Sequence, residues 1–139
     1  MPRLTVWMVR TALLYLGSGI AVGAVLLAAP GLSLRLEARP LRPLHIEFLL
    51  LGWTGNLVLG VAFWILPRLG SEGRGHESLA WAAYWLLNLG VAAVGGGQAL
   101  GLPGNVALLG RAAEGLAAAA FACHAWPRVR SVSAPHSER

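Results

Sequence analysis

The sequence predicts an all-α integral membrane protein, folded as a bundle of four transmembrane helices with both chain ends on the inner side (N-in, C-in). Only 12% of the 139 residues are charged and 56% are hydrophobic, whereas about 25% of a soluble domain is charged. Four apolar runs are each long enough to cross a bilayer, which takes roughly 20 residues. Proline and arginine cluster at the ends of these runs.

The four predicted helices fill most of the chain. Residues 1–127 are expected to form the bundle, and residues 128–139 a polar tail. The helices are predicted at residues 5–29, 43–66, 78–100 and 106–126. The first run is longer than the roughly 7–15 apolar residues of a signal peptide, so we expect it to be a retained helix.

Prolines mark the predicted boundaries, because a proline inside a helix removes a backbone hydrogen bond. Pro30, Pro67 and Pro103 follow or separate apolar runs, and Pro43 suits the first turn of the second helix. Between the first two helices, residues 32–39 alternate between apolar and polar side chains. This alternation predicts a segment that lies on the membrane surface.

Arginine placement predicts the orientation. All eleven basic residues are arginines, and positive charge is enriched on the inner side of membrane proteins. An inner N-terminus places more of them inside, namely Arg3, Arg10, Arg68, Arg74, Arg128, Arg130 and Arg139. The outer side then has Arg35, Arg39, Arg42 and Arg111. Most tryptophans also fall at inner helix ends, as an aromatic belt would. The expected location is the cell inner (plasma) membrane.

An ionisable group inside a span is costly, by about 2.5–3.5 kcal/mol at the centre on insertion scales, so each is a candidate site. His45 and Glu47 begin the second helix. Their i, i+2 spacing separates them by about 200° around the helix, so they do not chelate one metal from a single face. For His45 alone, two interpretations remain: an interfacial side chain bonded to a loop carbonyl, or a ligand.

Other polar residues in the spans form predicted pairs. Arg111 and Glu114 are at i, i+3 and share a helix face, so they either pair with each other or Arg111 neutralises a bound anion at the depth of His45. Asn56 and Asn88 fall near mid-membrane, where a hydrogen bond between their helices is expected. His124 and the single cysteine beside it diverge by about 100°, which makes a poor chelate.

The residues that several classes of enzyme require are missing from the sequence. The sequence has no Ser-His-Asp set at a common depth, no phosphate loop and no paired catalytic carboxylates. It also lacks the Cys-X-X-Cys-His motif, so any haem would be non-covalent. Nucleic-acid binding is not expected either, because the arginines lie in loops and at span ends. The chain is not expected to be an enzyme by itself.

The second helix resembles one helix of a known family. Residues 44–53 read Leu-His-Ile-Glu-Phe-Leu-Leu-Leu-Gly-Trp, and residues 60–68 read Gly-Val-Ala-Phe-Trp-Ile-Leu-Pro-Arg. This pattern is similar to the second transmembrane helix of subunit I in the haem-copper oxidase superfamily, which includes nitric oxide reductases. It is more similar still to small four-helix membrane proteins that share this helix but lack the other oxidase helices.

The resemblance implies a haem b site. The corresponding histidine of the family is an axial ligand of the low-spin haem, which implies that role for His45. Gly52, two turns away on the same face, would leave room for a porphyrin edge, and Arg111 would lie near the propionates. Glu47 stands where many relatives carry a second histidine. In the family, other helices supply the second axial ligand and the copper ligands, and this sequence shows no counterpart of them. The second axial ligand of the haem iron would therefore come from His45 of another copy or from a partner subunit.

Three functional hypotheses follow. The first is a haem b-binding membrane protein for electron transfer or gas sensing, as a homodimer. The second is a cofactor-free accessory or assembly subunit of a larger respiratory complex, either an oxidase or a nitric oxide reductase. The third is a small transporter or channel, which the scarcity of polar groups at mid-membrane disfavours. The lipid bilayer is the common partner in all three.

Overall fold

The computed structural model describes residues 1–31, 38–68 and 74–129. All the regular secondary structure in these ranges is helical. Four helices are long and apolar enough to cross a membrane, as the sequence predicted. The predicted surface segment at 32–39 lies mostly outside the described residues, and so does the polar tail beyond residue 129.

The four helices follow one another along the chain as α1 to α4. Helix α1 is Arg3–Ala28. Helix α2 joins Ala38–Glu47, Phe48–Gly55 and Asn56–Ile65. Helix α3 joins Glu77–Val91, Ala92–Gly96 and Gly97–Ala99. Helix α4 is Gly104–Ala125, continued by a single 3-10 turn at Trp126–Arg128.

Helix α2 begins at Ala38, earlier than the predicted start at Pro43. Pro40 falls in the first turn, where backbone N–H groups have no intrahelical partner and proline costs little. Pro43 therefore lies inside the helix. Elsewhere the predicted boundaries differ from the observed ones by at most two residues.

Helices α2 and α3 each contain a π-helical segment, Phe48–Gly55 and Ala92–Gly96 respectively. In a π-helix the N–H bonds to the carbonyl five residues earlier, and such segments are rare and frequent at functional sites. Each one rotates the following turns relative to a regular α-helix. The alternation of apolar and polar residues in the sequence does not reveal either segment.

Glycines bring α1 and α2 close together. A Cβ atom on Gly60 would lie 2.8 Å from the Cβ of Met8, and one on Gly23 would lie 2.6 Å from Cε1 of His45. The two contacts are at opposite ends of the seam, so the helices run antiparallel in contact. Small residues allow such close approach, which is how helices associate in lipid without a hydrophobic drive.

Helices α3 and α4 also approach closely, at a pair of facing glycines. A Cβ atom on Gly90 would lie 2.8 Å from the carbonyl oxygen of Gly110, and one on Gly110 would lie 3.0 Å from the carbonyl oxygen of Gly90. The Cγ of Glu114 would also lie 2.6 Å from a Cβ on Gly90. The two backbones are therefore in direct contact at this crossing.

The predicted hydrogen bond between Asn56 and Asn88 is confirmed. The amide nitrogen of Asn88 donates to Oδ1 of Asn56 at 3.1 Å, and the amide nitrogen of Asn56 donates to Oδ1 of Asn88 at 3.3 Å. Each amide also donates to the carbonyl oxygen four residues earlier, that of Gly52 or Tyr84. This reciprocal pair joins α2 to α3 and satisfies polar groups between apolar helices.

We expect Gly90→Ala to destabilise the bundle by about 1–3 kcal/mol, because the added methyl group would push against α4 at a tightly packed position. Gly115→Ala is the matched control on α4, since a Cβ there meets no atom within 4 Å. It should be neutral or slightly stabilising, because alanine favours helix. Thermal unfolding of the detergent-purified variants, followed by circular dichroism, compares the two. Equal stability of both would contradict the backbone contact.

Candidate functional site

Three charged side chains meet between α2 and α4, at the end of the bundle away from the start of α1. Arg111 donates from Nη1 to Oε1 of Glu47 at 3.0 Å and from Nη2 to Oε2 of Glu47 at 2.7 Å. Its Nη1 also donates to Oε2 of Glu114 at 2.9 Å. The first two bonds form a bidentate arginine–carboxylate pair, the stronger and more directional kind. We call these three residues the ion cluster.

The ion cluster is buried on its acidic side. The side chains of Glu47 and Glu114 are 3% and 8% exposed, and that of Arg111 is 53% exposed. Within the part of the chain that the structure describes, Oε1 of Glu114 is buried without a hydrogen-bond partner. Two carboxyl groups thus face one guanidinium group, so the formal charges do not balance when both acids are ionised.

Helix α3 provides the space for the two carboxyl side chains. A Cβ atom on Gly95 would lie 3.3 Å from the Cβ of Glu47, and Gly90 lies against Glu114. The π-helical segment of α2 begins directly after Glu47, and that of α3 contains Gly95. Two rare backbone segments and two glycines therefore border the same charged residues.

The predicted pairing of Arg111 with Glu114 is confirmed, but the bidentate partner of Arg111 is Glu47, which the sequence does not predict as a partner. The i, i+2 spacing relates Glu47 to His45, whose side chain lies about 200° away around α2. Depth in the membrane could have indicated this partner. Glu47 comes shortly after the start of the second apolar run and Arg111 shortly after the start of the fourth, so both are expected at a similar distance from the same surface. In the structure, the anionic group that Arg111 contacts is a pair of carboxyl groups of the same chain.

His45 faces α1, on the other side of α2 from Glu47. Its Nδ1 lies 2.8 Å from the carbonyl oxygen of Gly19, and its ring edge lies against Gly23. The histidine is thus bonded to a carbonyl, as one interpretation proposed, although the carbonyl belongs to a helix and not to a loop. No described residue forms a hydrogen bond with its Nε2.

A groove of about 370 Å³ runs along α2 beside His45. Besides His45, the groove is formed by Ile46, Leu49, Leu50, Trp53 and Thr54. All of these residues belong to α2, so the groove is open on the side away from the helix. It offers an apolar surface next to the imidazole ring.

The structure does not bring together the three residues predicted to bind haem. Gly52 faces α1 as His45 does, but the ring of Tyr15 fills the expected space, with Cγ 2.6 Å from the position of a Cβ. A porphyrin edge would have to displace Tyr15 to reach Gly52. Arg111 lies on the opposite side of α2, bonded to two carboxyl groups.

A second polar cluster closes the end of the bundle at which α1 begins. Arg128 is fully buried, and its Nη1 donates to Nε2 of His124 at 2.8 Å. Because a guanidinium can only donate, Nε2 accepts and Nδ1 donates to the carbonyl oxygen of His76 at 3.0 Å. Its Nε and Nη2 donate to three carbonyl oxygens at the end of α2, those of Phe63, Leu66 and Pro67.

Arg128 was assigned to the polar tail at residues 128–139, whereas it forms the end of the bundle. The last four carbonyl groups of a helix have no intrahelical partner, and Arg128 supplies donors for the end of α2. The sequence gives no sign of this, because an arginine after a tryptophan and a proline also suits an exposed helix exit. Cys123 is exposed while His124 is buried, so these neighbours do diverge as predicted.

Within the described ranges, no three His, Cys, Asp or Glu side chains are grouped so that they could hold a metal ion. In the described ranges, the fold is thus a four-helix bundle of membrane-spanning length, with a buried ion cluster and with His45 and His124 each bonded to a backbone carbonyl. Comparison with models of protein families, with curated proteins and with solved structures gave no match. The resemblance of the second helix to the oxidase subunit therefore stays a prediction.

We expect Arg111→Gln to lower the free energy of unfolding by about 3 kcal/mol, because it leaves two buried carboxyl groups without a counter-ion. Glu114→Gln is the matched variant. Its amide oxygen still accepts from Arg111 and one of the two acids is removed, so the change should stay within about 1 kcal/mol. Denaturant or thermal unfolding in detergent measures both. A loss for Glu114→Gln as large as that for Arg111→Gln would show that the second charge is required.

Arg128→Gln should destabilise the protein by about 3 kcal/mol or more, because several charge-assisted hydrogen bonds, worth roughly 1.5–3 kcal/mol each, are lost at a buried position. Arg10→Gln is the control, since Arg10 is exposed on α1, and it should shift stability by less than about 0.5 kcal/mol. Melting curves of the two variants decide the matter. Similar melting temperatures would mean that Arg128 is not a structural cap.

Proposed function

We propose that this chain spans the cell inner (plasma) membrane and binds haem b, with His45 as an axial ligand, for electron transfer or gas sensing. The single observation that carries the proposal is the hydrogen bond between Nδ1 of His45 and the carbonyl oxygen of Gly19. Metal-bound histidines almost always donate their other ring N–H to a carbonyl or carboxylate, which fixes the ring. In this arrangement Nε2 is the nitrogen available to iron.

The residues around His45 fit one side of a haem. The ring is held between α1 and α2, and the groove beside it is lined by apolar side chains of α2. Haem would supply redox-active iron, while the chain would supply one ligand nitrogen and an apolar surface. The second ligand would come from His45 of another copy in a homodimer, or from a partner subunit of a larger respiratory complex.

Two of the predicted contacts support haem binding less well. Gly52 is covered by Tyr15, and Arg111 is bonded to Glu47 and Glu114. We therefore restrict the proposed cofactor site to His45 and the groove along α2. Propionates near this groove would be neutralised by other groups or would face water.

The proposed orientation, with both ends of the chain inside, is supported by arginine placement. Arg3, Arg68, Arg74 and Arg128 belong to the end at which α1 begins, and inner ends of membrane proteins carry the excess of arginine and lysine. Cysteine labelling from either side of the membrane tests the orientation. Exposed Cys123 lies near the end proposed to be inside.

A cofactor-free accessory or assembly subunit of a respiratory oxidase or nitric oxide reductase is the second candidate. The observation that favours it is that two of the residues predicted to contact haem are already occupied by other side chains. Arg111 already has carboxylate partners, and the space above Gly52 already holds an aromatic ring. Such a subunit would need only its outer helix faces to bind a partner, and it would be colourless.

The deciding measurement is the absorption spectrum, oxidised and dithionite-reduced, of the detergent-purified chain produced with haem available. We expect a Soret band with sharp reduced α and β bands in the wild type. His45→Ala should lose this absorbance and keep its helical circular dichroism. His76→Ala is the matched control and should retain the haem, because His76 contributes only its backbone carbonyl to a contact.

Two results would overturn the haem assignment. One is a folded His45→Ala variant with full haem content, which would exclude His45 as the ligand. The other is a colourless wild type that shows no saturable binding when haem is titrated in. Colourless co-purification with an oxidase subunit would then support the accessory role.

A further inference from the structure

A cavity of about 590 Å³ lies at the end of the bundle where α1 begins. The start of α1, the end of α2 and the start of α3 form its walls. The charged and tryptophan side chains that line it are Arg3, Arg68, Arg74, Glu77, Trp64 and Trp81. This basic pocket is separate from the ion cluster and from His45, which lie at the other end of the bundle.

The basic pocket has an excess of positive charge. Three guanidinium groups and one carboxyl group line it. In the parts of the chain that the structure describes, none of its arginines forms an ion pair with a carboxylate, since the ion pairs there both involve Arg111. Arg3 and Arg68 are exposed, so their guanidinium groups can reorient towards a ligand at little cost.

The guanidinium group of Arg74 is held in place at one side of the pocket. Its Nη1 donates to the carbonyl oxygen of Phe63 at 3.0 Å, and its guanidinium lies 5.4 Å from the centre of the Phe63 ring. Only part of the guanidinium is used in this way, since arginine has five donors. An arginine held on an aromatic face presents its remaining donors in a defined direction.

The N-terminus of α1 adds to the positive electrostatic potential in the pocket. Arg3 is the first residue of α1, and the residue before it, Pro2, provides no side-chain hydrogen bond to the free N–H groups of the helix. The partial positive charge at a helix N-terminus favours anions. The two tryptophans are of the type found at the level of lipid headgroups, so the pocket would meet both the headgroup layer and water.

We propose that the basic pocket binds a phosphate group, carried either by an anionic phospholipid of the adjacent leaflet or by a soluble phosphate. Arginine forks match phosphate oxygens in bidentate geometry, and basic pockets between helices on the inner side of membrane proteins bind anionic headgroups. The excess charge selects an anion, and the cavity volume of about 590 Å³ accommodates a headgroup. This inference does not depend on haem binding.

The test measures thermal stabilisation of the full-length, detergent-purified chain during titration with phosphatidylglycerol, phosphatidylcholine or inorganic phosphate. Phosphatidylglycerol should raise the melting temperature saturably, and phosphatidylcholine should not. The double variant Arg3→Gln/Arg68→Gln should need about thirtyfold more phosphatidylglycerol for half of the effect, since each arginine contributes about fivefold near an anionic headgroup. Arg42→Gln, exposed at the other end of the bundle, is the control with unchanged midpoint.

The outcomes separate the sources of the phosphate. An effect of phosphatidylglycerol without one of inorganic phosphate identifies a lipid site, and an equal effect of inorganic phosphate, lost in the double variant, identifies a soluble phosphate. Wild type that responds to none of the anions overturns the proposal. So does a loss of response in Arg42→Gln as large as in the double variant, because the effect would then follow net charge and not the pocket.

Discussion

The bidentate pair between Arg111 and Glu47 is the interaction around which the far end of the bundle is arranged. Charged groups are expensive among apolar helices unless they are paired and hydrogen-bonded. The guanidinium meets both carboxylate oxygens of Glu47 at 2.7 and 3.0 Å, which fixes how α2 and α4 are rotated and shifted relative to each other. Any displacement of either helix would leave a buried carboxyl group without its partner.

The rest of that end accommodates the pair. Helix α3 passes the two carboxyl side chains with glycines: a Cβ on Gly90 would lie 2.6 Å from Cγ of Glu114, and one on Gly95 would lie 3.3 Å from the Cβ of Glu47. The π-helical segments Phe48–Gly55 and Ala92–Gly96 adjust the rotation of α2 and α3 at the same level. A π segment departs from regular helical geometry, and both segments border the buried carboxyl group of Glu47.

Two faces of helix α2 therefore contact two different helices, α1 and α4. His45 bonds a carbonyl of α1, while Glu47, two residues on, bonds a side chain of α4. A ligand that approached Nε2 of His45 would come from the side of α1 and the open groove, and it would not contact Arg111. The far end thus separates the charge pair of Arg111 and Glu47 from the imidazole of His45, which face opposite sides of α2.

The arginines at the end of the bundle where α1 begins have two different roles, which cannot be distinguished by counting charges in the sequence. Arg128 is buried and caps α2 through three carbonyl oxygens, so it is part of the fold. Arg3 and Arg68 are exposed and line a cavity. A count of arginines treats each of them alike when it is used to predict orientation.

The sequence by itself predicted the four helices, because long apolar runs with few charged residues would have to be helical to satisfy their backbone groups in lipid. It also predicted two pairings: Asn56 with Asn88 between helices from common depth, and Arg111 with Glu114 within one helix from i, i+3 spacing. Only the tertiary structure decided that Glu47 joins Arg111, that Tyr15 covers Gly52 and that Arg128 is buried. These outcomes depend on how each helix is rotated and shifted against its neighbours. Close contacts at glycines and rare π turns set that rotation, and the spacing of residues along one helix carries no information about it.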